Sequence, residues 1–233
     1  MTSSVPQGSV LGPTLFIIYI NDLVETVTNR TILYADDTKI LSPINNSTDA
    51  ERLQSDIDSI IEWTNKWLMK LNIEKCKVMH FGKHNTKHIY TMDSYTTNTP
   101  IPLATSEVER DLGIQLTVNL KVSHQCKTAA HRANFQLSVL KSNFISRDAE
   151  LWKKLYVTYI RPHLEYAVGA WNPCLFQDIT ILEKVQERAT KVSPCLQSKD
   201  YKTRCNVLGL TTLNQRRVRG DMIQKYNFLH DLQ

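Results

Sequence analysis

Apolar positions along this chain recur in two rhythms, and the change from one to the other is the first structural statement the sequence makes. From Thr14 onward, Leu15, Ile18, Tyr19, Asp22 and Leu23 fall at three- and four-residue steps, the spacing of one helical face, with Pro13 marking the first turn. Thr31-Ile32-Leu33-Tyr34-Ala35 is β-branched and apolar, Asp36-Asp37 follows, and Thr38-Lys39-Ile40-Leu41 resumes the extended pattern. That order predicts a β-hairpin with a tight acidic turn. Thr48 with Glu51 three residues on reads as a capping box. Leu53, Ile57, Ile60, Ile61, Trp63, Trp67, Leu68 and Leu71 then line one side of a helix expected over 48–71.

Short strands are expected around 77–81, 89–92 and 112–116, with a turn-rich Thr96-Thr97-Asn98-Thr99-Pro100 between them. From Lys121 the pattern turns helical: 127–143, 148–170 with an interruption at Pro162, 178–192 and 212–231. The switch from period-2 to period-3.6 spacing divides an α/β (α+β) domain over 1–118 from an all-helical region over 119–233.

Composition adds constraints. Hydrophobic residues at 42% and charged residues at 22% support a packed core and exclude a disordered composition. No apolar run approaches the roughly 18 to 20 residues of a bilayer span. The first residues carry no basic stretch leading into an apolar one. The expectation is an intracellular protein, nuclear or cytoplasmic, with no membrane partner. Five cysteines, at 76, 126, 174, 195 and 205, have wide, irregular spacings that suit reduced thiols. His80, His84 and His88 would share a helical face, but their surroundings read as a strand and turn. A solvated hairpin tip is therefore expected there, not a metal site.

Charge is distributed unevenly. Residues 1–61 carry three basic and eight acidic side chains, net −5; residues 62–139 are net +4 and residues 140–233 net +6. An acidic segment beside a basic body suits nucleotide or nucleic-acid chemistry, and equally suits uneven surface charge with no partner. Asp36 and Asp37 at a turn have two readings as well. Aspartate is common in tight turns because its side chain bonds local backbone groups. Two adjacent carboxylates beside an apolar sheet also repel unless a cation lies between them, and Mg²⁺ binds through one or two such groups plus substrate phosphates.

Context separates these readings. The blocks Val5-Pro6-Gln7-Gly8, Tyr19-Ile20-Asn21-Asp22-Leu23 and Tyr34-Ala35-Asp36-Asp37-Thr38 together resemble the central motifs of reverse transcriptases from jockey-like non-LTR retrotransposons. The resemblance continues through Trp63, Trp67, Leu71-Asn72, Lys75-Cys76 and Asp111-Leu112-Gly113-Ile114. It extends through Arg161-Pro162, Leu164-Glu165-Tyr166, Trp171 and Arg216-Arg217-Val218-Arg219-Gly220-Asp221, covering essentially the whole chain.

The resemblance implies a partial polymerase palm followed by a helical thumb-like region. The activity would be RNA-directed DNA polymerisation, with Mg²⁺ as cofactor and RNA template, DNA primer and deoxynucleotides as partners. Asp36 and Asp37 match the catalytic, metal-ligating acids. Gln7 and Gly8 match the loop beside the incoming nucleotide and the templating base, and glycine there lets backbone approach closely. Lys75 matches a lysine placed to protonate departing pyrophosphate; a surface lysine is the alternative. Trp63, Trp67 and Trp171 read as core. Arg216, Arg217 and Arg219 read as a phosphate-contacting cluster, or as an exposed helix face with no partner.

The resemblance also implies a further aspartate on a strand before the Gln-Gly loop. This chain starts four residues before Val5, so that motif is expected to be missing and the chain inactive alone, with an N-terminal half as a further partner. A non-catalytic nucleic-acid-binding remnant and a structural or interaction fragment are the alternatives.

Overall fold

The computed structural model describes residues 8–93 and 99–232. The chain divides into two compact units that part between Glu107 and Val108.

In the first unit, α1 (Leu11–Ile20) leads through a 3₁₀ stretch, Asn21–Thr26, into a hairpin of β1 (Arg30–Tyr34) and β2 (Asp37–Leu41). Next come α2 (Ser47–Lys66), a 3₁₀ turn (Ile73–Lys75) and the short strands β3 (Lys77–Val78), β4 (Thr91–Asp93), β5 (Pro100–Pro102) and β6 (Ala104–Thr105). The β1–β2 and β4–β5 pairs are antiparallel, and β3 pairs with β6 in parallel. The core is organised by α2. Ala50, Ile57 and Ile61 pack with Tyr90 and Met92, while Ile60 and Trp63 pack with Ile20 and Leu23.

Several expectations need correcting here. The first helix starts at Leu11, beside its expected start, but only part of the expected stripe is buried. Leu15 and Ile18 are 45% and 68% exposed; of the expected stripe Leu23 is buried, joined by Phe16 and Ile20. Its sequence is apolar on nearly every side, so helical spacing picks out more than one stripe and the neighbours decide which is covered. Asn46, not Thr48, caps α2, its side chain accepting from the Asp49 N–H at 2.9 Å. The helix ends at Lys66, and Leu68 takes φ 56°, so Trp67, Leu68 and Leu71 lie beyond it; Trp67 is part-exposed, not core. Because β3 pairs with β6, His80, His84 and His88 fall in an irregular connection, not at a hairpin tip. There the His80 and His88 rings lie 6.5 and 5.1 Å from buried Tyr90, centroid to centroid. Most of the turn expected at 96–100 lies outside the described residues.

The second unit opens with the antiparallel hairpin β7 (Val108–Asp111) and β8 (Ile114–Thr117). Its two-residue turn has positive φ at both Leu112 and Gly113, the geometry that matches strand twist in tight hairpins. A Cβ on Gly113 would also come within 3.0 Å of the Tyr166 ring. Helices α3 (Ser123–Asn143), α4 (Ala149–Leu155), α5 (Arg161–Glu165), α6 (Phe176–Thr190), α7 (Tyr201–Leu208) and α8 (Leu213–Leu229) complete the unit. The hairpin belongs with them because it packs on α3, where the Gln125 side chain accepts from the Gln115 N–H at 2.9 Å. The two compact units part ahead of this hairpin, between Glu107 and Val108.

Pro162 sits in the first turn of α5 and does not end the helical run. The five residues before it, Tyr156–Ile160, widen into a π turn, with the Arg161 N–H donating back to the Tyr156 carbonyl. The wider turn accommodates a residue that has no N–H to donate. Helix α7 lies outside the expected helical segments; Asp200 caps it and Gly209 at φ 60° ends it. Small residues on α3 (Cys126, Ala129, Ala130, Ala133) allow α6 to approach closely with Leu182, Val185 and Ala189, and Trp152, Ile160, Leu164 and Trp171 fill the remaining space. All five cysteines are free. Among the described residues, no helix is long and apolar enough to cross a membrane.

Candidate functional site

Asp36 and Asp37 occupy the tip of the first hairpin. Tyr34 pairs with Asp37, which leaves Ala35-Asp36 as a two-residue connection. Ala35 takes φ 52°, a left-handed conformation that costs a non-glycine residue roughly 1–2 kcal/mol. Strain of this kind survives where the flanking structure over-determines the turn. One face of the hairpin, through Leu33 and Ile40, packs into the core with Ile60, Trp63 and Leu23. By register the other face carries Ile32, Tyr34 and Asp37, all exposed; Asp36 is exposed too.

At the base of the hairpin, α2 holds the residues that lead into β1. Buried Asp56 accepts from the Thr28 N–H and hydroxyl at 2.9 Å each through Oδ1. Through Oδ2 it accepts from the Asn29 N–H at 2.9 Å and side-chain amide at 2.7 Å. Burial pushes its carboxyl pKa up, but hydrogen bonds from Thr28 and Asn29 outweigh that and hold it below the ordinary value. Two turns further along, the Trp63 indole donates to Asp22 Oδ1 at 3.2 Å. Tyr19, Trp63 and Trp67 form an edge-on and tilted aromatic group, with the Tyr19 hydroxyl donating to the Trp67 carbonyl.

The other expected residues are placed as follows. Gln7 lies outside the described residues. Gly8 takes φ 89°, and a Cβ there would meet nothing within 4 Å, so its backbone stands open. Lys75 is exposed at the end of the 3₁₀ turn, its backbone N–H donating to Asn72, and among the described residues no ion pair joins it to Asp36 or Asp37.

The three arginines of α8 do not form one exposed cluster. Arg216 is held by Glu165, Nε to Oε1 at 2.5 Å and Nη2 to Oε2 at 3.1 Å, and these bonds raise its pKa. Arg217 is 2% exposed, and among the described residues its Nε, Nη1 and Nη2 have no hydrogen-bond partner. Burial lowers its pKa against the opposing pull of Glu183, Cys126, Glu165 and Asp221. Only Arg219 is exposed outright. Three arginines in four helical positions point in different directions, so proximity in sequence did not mean a shared face.

Sequence reasoning missed Asp56, Asp22 and Glu165 as working groups. For Asp56 a signal existed. It interrupts the apolar stripe Leu53, Ile57, Ile60, Trp63 at helical spacing, and a carboxylate in such a stripe needs donors.

Among the described residues, no three His, Cys, Asp or Glu side chains gather as a metal cage. The hairpin offers two adjacent, exposed carboxylates. That is the protein share Mg²⁺ commonly takes, with water and substrate phosphate completing its shell. The residues present fit that ion to this extent.

Comparison with known proteins bears on what this geometry serves. Residues 1–211 match the family described as reverse transcriptase (RNA-dependent DNA polymerase). The chain is 32% identical over 188 residues to the RNA-directed DNA polymerase from mobile element jockey of Drosophila funebris, covering 73% of this chain and 19% of that protein. It is 36% identical over 91 residues to the protein of the same name in Drosophila melanogaster, covering 35% and 10%. Over 210 residues it is 25% identical to the probable RNA-directed DNA polymerase from transposon BS of Drosophila melanogaster, covering 82% and 22%. No solved structure matches it. The chain thus spans a minor part of each relative's length, and it belongs to the reverse transcriptase family as a segment of the non-LTR retrotransposon kind.

Proposed function

We propose that the first unit is part of a polymerase palm and the helical unit a thumb-like element, and that together they serve RNA-directed DNA synthesis within a longer protein. The observation that carries the reading is the Asp36-Asp37 pair at the tip of a tight hairpin whose base Asp56 holds. Asp36 and Asp37 hold divalent cation at the reacting phosphate. Bound Mg²⁺ supplies charge neutralisation and orientation of the attacking and leaving oxygens. Gln7 and Gly8 lie against nucleotide and template base, where open backbone at Gly8 allows close approach. Lys75 donates a proton to departing pyrophosphate. RNA template and DNA primer are held by phosphate contacts of the basic second unit.

The test is a graft. Residues 1–211 replace the matching segment of the Drosophila funebris polymerase, and templated primer extension is measured. The expected result is extension by the graft and a loss of at least about a hundredfold with Asp36→Asn or Asp37→Asn. A graft whose extension survives both substitutions would reject the site.

A further inference from the structure

Thr28 and Asn29 immediately precede β1, the strand that leads up to the Asp36-Asp37 tip. Asp56 binds this junction with all the capacity a carboxylate has: four donors, two on each oxygen, at 2.7–2.9 Å. Two of these are backbone N–H groups, so the grip fixes main chain and not only side chains. Trp63, seven residues along α2, lies on the same face two turns away, roughly 10 Å along the axis. It holds Asp22, at the start of the same connecting segment. Between the two polar grips, Ile60 of α2 packs with Leu23 in one buried cluster. The segment from Asp22 to Asn29 is thus fastened at both ends with an apolar contact between.

Burying a carboxylate is a poor way to gain stability, because desolvation offsets most of the hydrogen-bond gain. What it supplies is position: the cost is recovered only when all four donors sit in one arrangement. We propose that Asp56 is a positioning residue that sets where the hairpin, and with it Asp36 and Asp37, stands relative to α2. The role rests on the metal-binding reading of those two aspartates, and its mechanical part can be measured without it.

The same helix supplies the control. Gln54 clasps β4 through both the N–H and the carbonyl of Thr91, at 2.9 Å each, and its other hydrogen bond goes to Asp58 on the same helix. The experiment uses the full 233-residue chain and reads two quantities by NMR: amide hydrogen exchange, and line broadening of the Asp36 and Asp37 amides by Mn²⁺. Asp56→Ala should accelerate exchange across residues 30–41 by at least about tenfold relative to β4 and β5, the scale of one lost charge-assisted hydrogen bond. It should weaken Mn²⁺ broadening at the tip severalfold. Asp56→Asn, which keeps one acceptor, should fall between. Gln54→Ala should loosen β4 and leave hairpin exchange and Mn²⁺ broadening unchanged. Should Asp56→Ala fail to fold, Asn29→Ala removes one of the four contacts, the side-chain amide bond to Asp56 Oδ2, and should move both readouts in the same direction by less.

Equal, uniform acceleration by Asp56→Ala and Gln54→Ala would reduce Asp56 to a general stabiliser and overturn the proposal. Unchanged hairpin exchange in Asp56→Ala would overturn it as well. If Mn²⁺ leaves the tip amides of the unaltered chain unaffected, the metal reading of Asp36 and Asp37 fails, while hydrogen exchange still decides the role of Asp56.

Discussion

Asp56 in the first unit and Arg217 in the second are each 2% exposed, and their surroundings treat buried charge in opposite ways. Asp56 has four hydrogen-bond donors aimed at it; among the described residues the Arg217 guanidinium has no hydrogen-bond partner and feels only the longer-range pull of nearby acids. The apolar surfaces differ as well. In the second unit one continuous cluster joins α3, α4, α5, α6, α7 and the start of α8. In the first, two smaller clusters share α2, while apolar side chains of α1 and the outer hairpin face remain exposed. The helical unit derives its order from packing. The first unit depends more on directed polar contacts, which position a few residues well without covering much surface.

The largest expected effect tests that contrast directly. Leu182→Ala empties a fully buried site in the second unit and should cost about 3 kcal/mol, within the range for core truncations. Ile18→Ala removes as much apolar side chain from α1 and should cost less than about 0.5 kcal/mol, because that side chain is largely in water. Denaturant unfolding of both variants measures the difference. Equal losses would mean that the exposed face of α1 is covered in solution.

The two buried charges sharpen the comparison at the next scale. Arg217→Met keeps the apolar stem and removes a charge with no hydrogen-bond partner, so the second unit should be more stable by about 1 kcal/mol or more. Asp56 should behave in the reverse sense. Its hydrogen bonds hold its pKa below that of the unfolded chain, despite the upward push of burial. The folded state therefore takes up the Asp56 proton at lower pH than the unfolded state does. Its stabilisation is complete above about pH 4 and is lost as pH falls through the depressed folded value. Acid unfolding followed at the first unit should show this loss, and Asp56→Asn should flatten it. An acid profile identical in the variant would remove Asp56 from the account.

These contrasts also mark what the chain's own order could and could not tell. The hairpin was legible because β-branched residues flank an acidic pair, a local signal that needs no tertiary partner. The long helices of the second unit were legible for the same reason. The buried stripe of α1 was not, since an all-apolar helix carries no internal clue to which side a neighbour covers. Helix α7 was missed because eight residues give little periodicity, although Asp200 and Gly209 mark its ends. For the candidate site, the sequence indicated Asp36 and Asp37, but the brace behind them joins residues 27 and 28 positions apart and depends on how α2 lies. The arginines show the converse: a compact run in sequence is split by helical geometry into a paired, a buried and an exposed residue.

The smallest expected effect concerns that split. Under the thumb-like reading, nucleic acid is held by phosphate contacts, and each contact releases a counterion. Exposed Arg219 is then the arginine of the three that is free to make one. Arg219→Ala should weaken binding to a mixed-sequence RNA and reduce the slope of log affinity against log salt by roughly 0.7 to 0.9, the share of one phosphate. Arg216→Ala should change the slope less, because its guanidinium is already engaged by Glu165 at two points. Arg217→Met should leave the slope unchanged, since a side chain 2% exposed reaches no phosphate. The ranking 219, 216, 217 is what the measurement checks. If Arg217→Met flattened the slope as much as Arg219→Ala, α8 would have to rotate or detach when nucleic acid binds. The second unit would then be less firmly packed than its continuous core implies, and its contrast with the first unit would fail at that helix.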